Sequence, residues 1–158
     1  MSVRMRRAIL RNFLLTASLI SAACVVGCGK GASGTSRGSI EVTAKLVEIP
    51  DGAIFQRDLY NYATVLKYEV LEVHRGSVNG KKIIYVGQNN PAKPRSEASD
   101  QRAPNIGGNL KSFAAGQVQR LSLDGEMLDV FTGAILNKYS EEDCDPIYWA
   151  VWTDLVSG

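Results

Sequence analysis

The chain has 158 residues, 45% of them hydrophobic and 22% charged, with a formal net charge of +2. Four of its eighteen basic residues lie within the first eleven positions, which leaves fourteen basic against sixteen acidic residues beyond them, a net of about −2. That balance excludes the basic excess expected of a nucleic-acid-binding domain or of a polybasic membrane patch, and the length bounds the fold to about one core.

The N-terminal stretch "MSVRMRRAILR" carries Arg4, Arg6, Arg7 and Arg11, and an uncharged run of fourteen residues, Phe13 to Val26, follows. A positive end ahead of a hydrophobic stretch is the order of a secretory signal, and the run is short of the roughly 20 apolar residues of a spanning helix. Export followed by cleavage is the expectation. The residues ahead of Cys28, "VVGC" from Val25, resemble the lipobox of bacterial lipoproteins. That resemblance implies that Cys28 is acylated and becomes the mature N-terminus. "SAAC", ending at Cys24, is a rival whose Ser21 departs from the aliphatic preference, and ordinary cleavage after Ala23 stays open. Gly29 stands where lipoproteins kept at the inner membrane typically carry Asp, so the resemblance implies an outer-membrane anchor in a Gram-negative envelope.

Three parts are expected: a signal peptide over 1–27, a lipidated Cys28 with a Gly/Ser-rich linker to residue 38, and one β-rich domain over 39–158. The linker "GKGASGTSRG" is a flexible coil of typical span about 16–19 Å. Cleavage before Cys28 discards Cys24 and leaves Cys144 as the sole thiol, so no disulfide within the chain is expected.

Within the domain, "SIEVTAKLVEI" alternates Ile40, Val42, Ala44 and Leu46 with polar residues, the period of a half-buried strand, and Pro50, Asp51 and Gly52 end it. "YATVLKYEVLEVHRG" places Leu66, Tyr68 and Val70 on one face; beyond Val70 the parity slips to Leu71 and Val73, which predicts a β-bulge. "GSVNGKK" and "IIYV" complete a hairpin. Residues 88–109 are polar and broken by prolines and glycines, a stretch that is usually functional or mobile. "QVQRLSL" predicts another strand, "EMLDVFTGAILNKY" spaces Met127, Val130, Phe131, Ala134 and Ile135 as a helix, and "PIYWAVWTDL" predicts a closing strand.

About five short strands, one long and bulged, and at most one short helix suit a small Greek-key barrel. "VLKYEVLEVHRGSVNGKKIIYV" resembles the central hairpin of netrin-like OB-type barrels, seen in tissue inhibitors of metalloproteinases and in some bacterial envelope proteins. The resemblance implies an OB-like fold and transfers no inhibitory activity.

Side chains able to carry chemistry are sparse. His74 is the one histidine, which excludes a two-histidine metal site, and no "GxSxG" marks a nucleophilic serine. Glu141, Glu142, Asp143 and Asp145 surround Cys144; they read as a solvated acidic turn, lack the spacing of a calcium loop, and disfavour the thiolate that catalysis would need. No catalytic residue, metal or cofactor is assigned. Candidate contacts are Lys93, Arg95 and Arg102 in the long loop, with whichever of Tyr148, Trp149 and Trp152 is exposed; on a strand, Tyr148 and Trp152 share a face. The expectation is an exported, membrane-anchored lipoprotein with a non-catalytic binding or assembly role, its partner an envelope protein or polysaccharide and not nucleic acid. Alternatives are a polysaccharide hydrolase using the late carboxylates and a periplasmic protease inhibitor.

Overall fold

The structure, a computed structural model, describes residues 38–55, 61–140 and 146–156. The lipobox-like segment with Cys24 and Cys28, and the acidic stretch with Asp143, Cys144 and Asp145, lie outside the described residues.

Where apolar and polar residues alternate, the chain is extended. Strand β1 (Ile40–Glu48) leads to the long β2 (Tyr62–Arg75), β3 (Ile83–Asn89) and β4 (Val118–Glu126). A single helical turn, α1 (Met127–Val130), precedes the short β5 (Ala134–Leu136) and the closing β6 (Ile147–Leu155). The sheet runs β1-β4-β6-β3-β2 and closes on itself where β2 also pairs with β1, while β5 adds to β2 outside the ring. Around the ring only β3 and β6 are parallel. A three-strand meander whose fourth strand returns beside the first is a Greek key, and its closure into five strands makes the barrel OB-like.

The bulge predicted after Val70 is present. Thr43 pairs with Glu72 and Ala44 with Val70, so Leu71 is the extra residue; a second slip leaves His74 out of the ladder. Bulges bend a strand sharply, which lets β2 serve both β3 and β1. The β2–β3 hairpin turns at Asn79 and Gly80, both at positive φ (55° and 70°), with Lys81 N–H donating to the Val78 carbonyl at 3.0 Å. Asn-Gly is the pair that a turn of this hand favours.

Two cores result. Val42, Ala44, Leu46, Leu66, Ile84 and Leu121 fill the lumen with others, and Val78 from the hairpin plugs one end. A second cluster lies on the outer face of β2, β3 and β6, where Val65, Tyr85 and Trp149 are covered by Ile106, Met127 and Phe131. The helix predicted over the β4–β6 connection therefore shrinks to one turn. Val130, Ala134 and Ile135 are exposed instead of completing an apolar stripe, and Phe131 is extended. Packing sites on β3 and β6 and the open edge of β2 override local helical spacing.

Candidate functional site

The loop between β3 and β4 was expected to present Arg95 to a partner. Instead Arg95 is 1% exposed and closes the far end of the barrel. Its Nη1 donates to the Asn89 carbonyl at 2.8 Å, and its Nη2 to the carbonyls of Asn90 and Lys93 at 2.7 and 3.1 Å. The guanidinium also stands 5.0 Å from the ring centre of Phe113. A planar fork of donors is what a cage of converging carbonyls needs, and the ring face favours the cation. Burial pushes the Arg95 pKa down to about 10, partly opposed by Tyr68. The contact role read for Arg95 thus fails for want of exposure, and the side chain holds the loop.

Beneath Arg95 the lumen turns polar. The Tyr68 hydroxyl donates to Gln119 Oε1 at 3.0 Å, and Thr153 Oγ1 donates to Gln88 Oε1 at 3.3 Å. Burial raises the Tyr68 pKa well above its ordinary value, so the phenol keeps its proton. Buried polar groups are tolerated when paired in this way.

The rest of the loop is equally constrained, neither structureless nor open. Asn89 and Asn90 each donate from Nδ2 to Asp100 Oδ2, at 3.1 and 2.9 Å, while Asp100 Oδ1 accepts from the backbone N–H of Arg102 and Ala103. Although desolvation opposes ionisation, these donors hold the Asp100 carboxyl below its ordinary pKa.

The late aromatics divide differently from the expectation. Ser122 pairs with Trp152 and Leu123 with Ala150, so Val151 is an extra residue in β6. That bulge breaks the shared face of Tyr148 and Trp152. Tyr148 points into the lumen cluster, while Trp149 lies in the outer one, stacked on Phe131 at 4.8 Å. Trp152 is half-buried; its ring lies against Gly107, where any β-carbon would overlap the indole, and its Nε1 donates to Asp154 Oδ2 at 3.1 Å. Tyr148 and Trp149 are both 5% exposed and offer no platform. Only an edge of Trp152 remains for contact.

Arg102 alone among the candidate cations sits at a junction of loops. Its Nη1 reaches the Asn61 carbonyl at 3.4 Å on the β1–β2 connection and lies beside Gly133 on the β4–β6 connection. Phe55, tilted on Tyr62 with ring centres 5.4 Å apart, is 42% exposed, and Ile135, beside the Tyr62–Ala134 pair, is 37% exposed. Lys93 is half-buried within the loop. Elsewhere at the far end, a depression of about 430 Å³ is lined by Asn109, Leu110, Lys111, Ser112, Gln117 and Leu155.

No protein-family model, curated protein or solved structure matches this chain significantly. The reading of the site therefore rests on geometry. OB-type barrels bind oligomers on the outer face of strands 2 and 3 and on the two flanking connections. Here that sheet face lies under Met127, Phe131 and Tyr139, and the flanking connections meet at Arg102. Sequence reasoning missed this cover. Its signal was Gly87, a glycine inside an apolar strand, which marks a close approach.

His74 Nε2 lies 2.8 Å from Thr43 Oγ1, and its Nδ1 lies 3.5 Å from Glu72 on the solvated side of β2. No group of three His, Cys, Asp or Glu side chains among the described residues is arranged to hold a metal.

Proposed function

We propose that this chain is a lipid-anchored envelope lipoprotein whose barrel is a non-catalytic binding or assembly module. Its contact surface is the rim around Arg102. The observation that carries this reading is an exposed guanidinium that reaches the Asn61 carbonyl on one connection flanking the occluded sheet face and lies beside Gly133 on the other, with Phe55 and Ile135 exposed on those same two connections. A cation on connections that also expose apolar side chains suits a protein partner presenting a carboxylate beside an apolar residue. The anchor reading rests on the arginine-flanked apolar run and on "VVGC".

Cross-linked recovery of partners from native membranes tests it, comparing the natural chain with Arg102→Glu and Cys28→Ala. Charge reversal at the rim should abolish recovery of the partner while leaving the anchor intact. Equal recovery with Arg102→Glu would show that the rim is not the contact surface. Release of Cys28→Ala from the membrane fraction is the outcome the anchor requires.

A further inference from the structure

The end of the barrel where the linker joins carries a feature that the rim does not explain. Gly38, the last linker residue, is clamped to the end of β2: its carbonyl accepts from Arg75 Nη2 at 2.9 Å. Arg75 is held in turn by Glu41 at 3.4 Å, its ladder partner on β1. On the same strand, Leu71 is 52% exposed and Val73 43% exposed.

Their exposure follows from the strand pairing. The ladder with β3 stops at Glu69, opposite Ile83, so β2 runs on toward Arg75 with β1 as its one ladder neighbour. The bulge then leaves Leu71 without a partner opposite it. The returning arm of the hairpin is tied to this segment by Val70 N–H donating to the Lys82 carbonyl at 2.7 Å, and Lys81 and Lys82 are exposed there. Glu69 and Glu72 are exposed beside them, so charge alone does not define the patch.

We infer that this end of β2 seats on the lipid surface that holds the Cys28 anchor, with Leu71 and Val73 as the inserted side chains. The inference rests on the lipoprotein reading above. Gly38 lies ten residues beyond Cys28, and even fully extended that span reaches only about 33–36 Å. Leu71 and Val73 lie four and two residues from Arg75, on the strand end to which the tether is fixed. Tethering turns a weak apolar contact into an intramolecular one at high effective concentration, so two side chains suffice for a seat that two chains free in solution would not hold. Val47, also exposed, lies five residues along β1 from Val42, the ladder partner of Val73, about 16 Å toward the opposite end.

The test uses the full lipidated chain, purified from membranes and reconstituted into phosphatidylethanolamine and phosphatidylglycerol vesicles with brominated acyl chains. Tryptophan is introduced as Leu71→Trp, Val73→Trp or Val47→Trp, and emission is read as the difference from the natural chain. Quenching at position 71 or 73 should exceed that at position 47 by about twofold or more. Equal quenching at all three positions, in a chain that floats with the vesicles, overturns this inference alone. A chain with no acyl mass on Cys28 that fails to float overturns the anchor reading and this inference with it. Val73→Trp keeps the test open if Leu71→Trp does not fold.

Discussion

The thioether of Met127 lies against Gly87 so closely that a β-carbon at position 87 would overlap the sulfur. Glycine at the middle of β3 thus makes the hollow into which the β4–β6 connection drops, and Met127 is 0% exposed as a result. This contact anchors the cover that Met127, Phe131 and Tyr139 make over the sheet face an OB-type barrel otherwise leaves open.

Gly87→Ala should therefore destabilise the fold by about 1–3 kcal/mol through overpacking, and Met127→Ala by about 2–5 kcal/mol through the cavity it leaves. Because the added methyl partly fills that cavity, the double variant should be more stable than the sum of the two predicts, by at least ~0.5 kcal/mol. Urea unfolding of the four chains measures the coupling, and strict additivity would show that the two positions do not share the site.

Phe131 stacks on Trp149 at 4.8 Å with an interplanar angle of 23°. Phe131→Ala should cost about 3–5 kcal/mol and shift Trp149 emission to the red as water reaches an indole that is now 5% exposed. Unchanged emission would mean that the cover over the sheet stays in place without the stack.

Arg95→Lys keeps the charge but not the fork. A lysine ammonium is a compact point charge that cannot meet three carbonyls spread over Asn89, Asn90 and Lys93. The expected loss is about 2–4 kcal/mol, from one or two buried carbonyls left unpaired, seen as a lower urea midpoint. Faster amide exchange in the loop of residues 90–106 should accompany it.

Asp100 sets a pH dependence whose sign follows from its lowered pKa. The folded state holds the carboxylate ionised, so the unfolded chain binds more protons in the acid range. The stabilisation is complete above the ordinary value of 3.8 and is lost as the pH falls through the lower folded value. At neutral pH Asp100→Asn should be less stable than the natural chain by up to about 1 kcal/mol, because solvent screens a carboxylate that is only partly buried. That gap should close in thermal melts as the pH falls below the ordinary value of 3.8; a gap independent of pH would mean that the charge on Asp100 is not what the two asparagines and the turn amides bind.

Much of the barrel was legible in the chain. Alternation over Ile40 to Leu46, the parity slip after Val70 and the Asn79-Gly80 turn each state a local rule that the fold obeys. The connection from Met127 to Leu136 was not legible, because helical spacing there competes with a glycine hollow on β3 and an open edge on β2 that exist only once the barrel has closed. The face shared by Tyr148 and Trp152 failed for a similar reason. The bulge at Val151 belongs to the pairing with β4 and leaves no mark in the alternation of β6 itself.

Candidate contacts illustrate the same division. Arg95 and Arg102 sit seven residues apart in one polar stretch and look alike in the sequence, yet one is caged by carbonyls and the other stands at the rim. By itself the sequence determined the strand periods, the turns and the five-strand class, because these depend on neighbours within a few residues. It also carries "VVGC", whose resemblance to a lipobox lies in four adjacent residues and needs no fold to be read. Only the tertiary structure decided which cation is buried, which aromatic rings are covered and which sheet face is closed. Those outcomes depend on strands brought together from far along the chain, and burial is a property of the packed whole rather than of any segment.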